Sequence, residues 1–109
     1  MNKNSSIYTI TTIEKLEPDD KYYCQHGDTR CVGFYHDKES AEKAVEENRC
    51  DIFECLYDYA VIEQTPPGVY GTSSAEYERW FYKYDHENKR YNPIEEPDCV
   101  NHIYGFGVG

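Results

Sequence analysis

Cations are scarce in this chain of 109 residues: 11 Lys and Arg stand against 21 Asp and Glu, for a formal net charge of −10. Affinity for phosphate backbones and anionic headgroups comes mainly from Lys and Arg. The shortage therefore argues against direct binding to nucleic acid or to anionic membranes. Long apolar runs are also missing; none approaches the ~20 residues of a membrane span. The opening Met1-Asn2-Lys3-Asn4-Ser5-Ser6 has no apolar stretch of the secretory kind. These absences predict a cytoplasmic protein, and the length predicts a single domain over 1–109, since domains typically run ~100–150 residues.

The motifs of common chemistries are absent too. There is no G-x-S-x-G, no H-E-x-x-H, no Gly-rich loop ahead of a helix and no C-x-x-C. Five cysteines, at 24, 31, 50, 55 and 99, are an odd number without a secretory signal, which argues against a disulfide framework. Cys24, His26 and Cys31 form a C-x-H-x4-C run that is looser than zinc knuckles usually are. Reduced cysteines packed as small hydrophobes are the preferred reading, with that trio as the metal alternative. Cys31 with His36, and Cys99 with His102, are the two Cys/His pairs a nucleophilic site would need, and such pairs arise by chance in so short a chain. The carboxylates Glu14, Glu17, Asp19 and Asp20, and Glu95, Glu96 and Asp98, lack the alternating spacing of a cation loop. The expectation is a protein that is not an enzyme and needs no cofactor.

What the sequence has in abundance is aromatic surface. Mean hydropathy is −0.90, yet 12 Tyr, 4 Phe and 1 Trp make 16% of the residues. Disordered chains are poor in aromatics, and Tyr buries a large ring around one polar tip. A folded domain follows.

Ile7 to Ile13 is rich in β-branched residues and reads as a strand. Tyr22-Tyr23-Cys24 and Thr29 to Tyr35 read as a hairpin across Gln25-His26-Gly27-Asp28, with Gly33 marking a bulge or close approach. Asp37 is placed to cap a helix over 38–48, whose Ala41, Ala44 and Val45 form a narrow apolar stripe. Residues 56–64 contain the continuous run Tyr59-Ala60-Val61-Ile62 of a central strand covered on both faces. Trp80 to Tyr84 and Arg90 to Ile94 flank a polar turn, and Pro93 assigns the return strand to a sheet edge. The glycine-alternating tail, 103–109, reads as a last strand. The fold class is α+β: one main helix packed on a mainly antiparallel sheet of about five to six strands.

Alternation sets Trp80, Tyr82 and Tyr84 on one face of their strand. That face is either core or an exposed aromatic patch. Tyr and Trp are enriched at binding hot spots, so Trp80, Tyr82, Tyr84, Tyr57 and Tyr59, with Arg79 and Arg90, are the candidate binding residues. Acid around them would steer a basic protein partner. The alternative is a pocket in which stacked rings and arginines hold a small nucleotide-like ligand. Exposed edge strands also admit a homodimer.

Cys31-Val32-Gly33-Phe34-Tyr35 followed by Asp37-Lys38-Glu39-Ser40-Ala41-Glu42-Lys43-Ala44-Val45 resembles a pattern shared by a group of short acidic proteins from Firmicutes and their phages and mobile elements, a domain of unknown function. The similarity runs on through Tyr57 to Glu63, Pro67 to Tyr70, Trp80 to Tyr84 and Pro93 to Pro97. The resemblance implies a small α+β fold in a bacterial or phage setting and transfers no catalytic residue. In that setting the expected role is an accessory or counter-defence protein that occludes a basic site on a nucleic-acid-handling partner.

Overall fold

A computed structural model describes residues 6–18, 24–25, 27–67, 78–97 and 106. Seven strands and one α-helix follow in order: β1 (Ile7–Ile13), β2 (Glu17–Pro18), β3 (Cys24–Gln25), β4 (Thr29–Tyr35), α1 (Lys38–Glu46), β5 (Tyr59–Thr65), β6 (Arg79–Asp85) and β7 (Arg90–Ile94). Five of them form one sheet in the order β4-β1-β5-β6-β7, antiparallel throughout, and β2 pairs with β3 apart from it. The α+β class and the single helix on an antiparallel sheet are as the sequence reading has them.

β5 is central, between β1 and β6. Ala60, Val61 and Ile62 are fully buried because their side chains alternate between two covered faces. On one face α1 lays Ala41, Ala44 and Val45 over Ile10, Ala60, Ile62, Tyr82, Tyr84 and Tyr91. On the other, Ile13, Leu16, Val61 and Phe81 pack together under Phe106. The helix is short enough to be marginal alone, so its small-residue stripe must lie close on the sheet.

Its start is written in Asp37. Extended at φ −134°, this residue accepts from the Ser40 backbone N–H at 2.9 Å and from the Ser40 hydroxyl at 2.8 Å. The Ser40 amide, first, and then the Ser40 hydroxyl hold the Asp37 carboxyl below its ordinary range. The helix stops at Glu46, two residues before the expected end, because Asn48 turns left-handed at φ 49°. Asn tolerates that region better than most residues. Its side chain fixes the chain reversal by accepting from the Phe53 N–H at 3.0 Å and donating to Asp51 at 3.2 Å.

Two expectations are corrected. The expected hairpin joined Thr29–Tyr35 to Tyr22-Tyr23-Cys24, of which Tyr22 and Tyr23 lie outside the described residues, and the described parts take other partners. Thr29–Tyr35 pairs with β1, while Cys24–Gln25 pairs with Glu17–Pro18. β1 offers a full-length edge on the side away from β5, and six facing pairs between β1 and β4 give a longer ladder than a short hairpin would. Leu56 is also not strand: residues 52–56 are turn, and β5 starts at Tyr59. The bulge suggested by Gly33 is present. Ile10 faces Gly33 while Thr11 faces Cys31, so Val32 is the extra residue. Pro93 does lie on an edge strand, β7. Tyr22, Tyr23, the Gly71-Thr72-Ser73-Ser74 segment and all of the tail except Phe106 lie outside the described residues.

Candidate functional site

The aromatic residues singled out in the sequence separate by depth. Tyr82 is 1% exposed, and Tyr57 and Tyr84 are buried. The face shared by Trp80, Tyr82 and Tyr84 is the one that α1 covers. An exposed platform built on Tyr82 and Tyr84 is therefore not formed. Their strand alternation is real, but it belongs to the core, because a nine-residue helix with an alanine stripe needs large rings beneath it to fill the layer. Trp80 is half-buried at the rim, with the Lys38 ammonium 4.0 Å from its ring centroid. Tyr59 points to the opposite face and is half-buried, with Lys83 5.7 Å from its ring.

The polar tips of the two deepest rings, Tyr82 and Tyr91, are satisfied. Tyr82 donates to Glu42 at 3.3 Å, and Tyr91 donates to the Tyr57 carbonyl at 2.6 Å. Burial, reinforced by Glu42 at Tyr82 and by Asp58 at Tyr91, pushes both phenols far above the ordinary tyrosine range. Tyr84 stacks on Phe53 with centroids 3.7 Å apart and planes 9° from parallel, and burial raises its phenol as well. The stack brings the turn after α1 down onto the sheet.

That turn was not legible in the sequence. Asn48, Cys50, Asp51, Glu54 and Cys55 all take positive φ without being glycine, an uncommon backbone state for such residues. Only the Asn48-x-x-Asp51 spacing, with its side-chain hydrogen bond, hints at it. The turn presents Cys50, Cys55, Asp51 and Glu54 to solvent.

The arginines are all committed. Arg79 meets Glu96 through two bonds, 3.0 Å from Nε and 3.2 Å from a terminal nitrogen, and its guanidinium lies 5.4 Å from Phe81 and 5.7 Å from Phe106. Arg90 pairs with Glu46 at 3.8 Å, Arg49 with Glu47 at 3.0 Å, and Arg30 with Glu54. Arg49 also donates to the Tyr35 hydroxyl at 2.8 Å. Arg79 and Arg90, the two arginines expected at a ligand, are thus held by carboxylates on different elements and do not converge with the aromatic rings on a common pocket.

From Lys38 to Cys55 the chain carries Glu39, Glu42, Glu46, Glu47, Asp51 and Glu54 against Lys38, Lys43 and Arg49. The outer side of α1 and its turn is therefore an acidic surface laid over an aromatic core.

The cysteine alternatives do not assemble among the described residues. Cys31 is exposed, and its thiol lies 4.0 Å from the Gly33 carbonyl, with His36 engaged edge-on by Phe34 instead. The Cys24 side chain, His26, Cys99 and His102 lie outside the described residues. Among those described, no three His, Cys, Asp or Glu side chains are grouped to hold a metal ion. Likewise, no helix is long and apolar enough to cross a membrane.

The second face of the sheet holds one polar arrangement that sequence reading missed. Glu63, 8% exposed, lies directly across from Arg79 on β6, and its carboxylate accepts from the Phe106 backbone N–H at 3.0 and 3.2 Å. Thr9 and Thr65 donate to the Glu63 carbonyl at 3.4 and 3.2 Å. Beside them the Thr11 hydroxyl is fully buried and has no partner. A carboxylate inside an apolar strand run is the signal that could have flagged this point: Glu63 follows Ala60-Val61-Ile62 directly.

Comparison with protein-family models, with curated proteins and with solved structures finds no match to this chain.

Proposed function

We propose that the protein is a non-enzymatic interaction module whose acidic helix-and-turn surface occupies a basic site on a protein partner. In the bacterial or phage setting implied by the resemblance, that partner is a nucleic-acid-handling protein, and the module is an accessory or counter-defence factor that keeps its groove from DNA or RNA. One observation carries the reading: each of the four arginines is held by its own carboxylate, in a chain of net charge −10. A phosphate-bearing ligand would have to displace a carboxylate to reach any of them, whereas a basic protein surface meets Glu39 and Asp51, which carry no ion pair among the described residues, and the acid surplus of the whole chain. Such complementarity raises association rates and selects partners by charge.

The test is capture of a partner from bacterial lysate on the tagged chain, followed by competition. Increasing amounts of this protein should displace labelled duplex DNA or RNA from the captured partner, and added salt should weaken capture because screening acts on the encounter. Capture of a partner that binds no nucleic acid, or whose binding is indifferent to salt, overturns the reading.

A further inference from the structure

The two edges of the sheet end differently. β7 is five residues long and carries Pro93, which blunts an edge by removing a donor. β4 is seven residues long with neither proline nor lysine, and Thr29, Arg30, Cys31 and Phe34 are exposed, Phe34 at 55%. No carboxylate occurs from Thr29 to His36, while Asp28 and Asp37 flank the strand and Arg30 is paired with Glu54.

The bulge gives β4 a further property. Thr29, Cys31 and Phe34 face Ile13, Thr11 and Thr9 on the side away from α1, while Arg30 and Tyr35 face Thr12 and Tyr8 on the α1 side. Val32 and Gly33 both stand opposite Ile10, and Val32 packs into the cluster under α1. Moving outward from the Val32–Gly33 bond in either direction, the faces follow the same order: α1 side, far side, α1 side. In a strand of strict alternation, a two-fold axis between residues would set opposite faces against each other. The extra residue removes that conflict.

We propose that β4 pairs antiparallel with β4 of a second copy about a two-fold axis normal to the sheet, between Val32 and Gly33. Phe34 then lies across from Cys31 of the partner subunit, and Arg30 across from Tyr35 of the partner subunit, every pair on a common face. Val32 meets Gly33 of the partner subunit, where a Cβ would find nothing within 4 Å, so the site has room for the valine methyls. The sheet becomes continuous through both subunits with both helices on the same side, and the acidic surface is doubled. The dimer extends the reading above but does not depend on it.

Sedimentation velocity over a wide concentration range, at low and moderate salt, tests the pairing. The full chain should shift from the mass of one chain to that of two as concentration rises. Salt should strengthen this association, because it screens the repulsion between two acidic chains, the opposite of its effect on a basic partner. Gly33→Arg, which enters open space in one chain but collides in the dimer, and Phe34→Lys should each sediment as monomers with unchanged far-UV circular dichroism. Under a glutathione disulfide buffer, Phe34→Cys should add a covalent dimer that disappears when Cys31→Ser is also present. A wild-type monomer at all concentrations and salts overturns the proposal. So does a dimer that survives Gly33→Arg, or a Phe34→Cys variant with no Cys31-dependent cross-link. A monomer that still captures a basic partner overturns the dimer alone.

Discussion

The two faces of the sheet solve the same burial problem with different chemistry. Under α1 the filling is aromatic: Tyr82, Tyr84 and Tyr91 lie beneath a stripe of two alanines and a valine, with the Tyr82 hydroxyl on Glu42 and the Tyr91 hydroxyl on the Tyr57 carbonyl. On the far face, aliphatic and phenylalanine contacts among Ile13, Leu16, Val61 and Phe81 adjoin a polar strip of Thr9, Thr11, Glu63 and Arg79. Small side chains on α1 leave the layer to be filled from the sheet, and tyrosine fills it while sending a hydroxyl out to Glu42 or to a backbone carbonyl. This explains how a chain with negative mean hydropathy folds: much of its core is counted as polar.

The aromatic face depends most on Tyr82. Tyr82→Ala should destabilise the protein by about 3–5 kcal/mol, as truncation of a buried ring does, and should release α1. Denaturant titration followed by circular dichroism reads the loss, and a change under 1 kcal/mol would place the ring outside the core. The same face should fail in alkali. Phenols raised in the folded state contribute stability that is complete below the unfolded tyrosine value of ~10 and is lost as pH rises above it. Thermal melts should therefore show a falling Tm above that pH, and Tyr91→Phe should flatten the fall.

At neutral pH Tyr91→Phe leaves the buried Tyr57 carbonyl without its donor, at a cost of about 1–3 kcal/mol. On the far face the expected sign reverses. Thr11→Val replaces a buried hydroxyl that has no partner with a methyl of similar shape, so stability should rise by roughly 1 kcal/mol. A destabilised Thr11→Val variant would show that the hydroxyl is satisfied after all. The smallest effect is expected at Asp37. Its carboxyl, held low by the Ser40 amide, contributes stability present above the unfolded Asp value and lost as pH falls through the folded one. Asp37→Asn should keep most of the cap and remove the acid dependence, read by melts below pH ~4.

Much of this fold is legible where local chemistry decides. Asp37 announces the helix, Tyr59 to Ile62 the doubly covered strand, Gly33 the bulge and Pro93 the edge. What fails is pairing and facing. The reading joined Thr29–Tyr35 to its neighbour in sequence, whereas β1, sixteen residues before β4 begins, offers the longer complementary edge. Period-2 alternation at Trp80, Tyr82 and Tyr84 gives a face without saying whether a helix covers it. The commitment of the arginines was equally hidden, because the partners of Arg30, Arg79 and Arg90 lie 24, 17 and 44 positions away. The left-handed turn at 48–55 has almost no signature, since only Asn48 and Asp51 are residue types that favour it.

If the aromatic residues are interior and the acids are the working surface, stability and partner binding must separate. The most direct measurement is the affinity of Glu39→Lys/Glu47→Lys for the captured basic partner, taken beside its melting temperature. Both side chains are exposed on the outer side of α1 and its cap. The complex should be at least tenfold weaker, about 1.4 kcal/mol, with Tm close to that of the unaltered chain. An unchanged affinity at an unchanged Tm would show that these acids do not meet the partner.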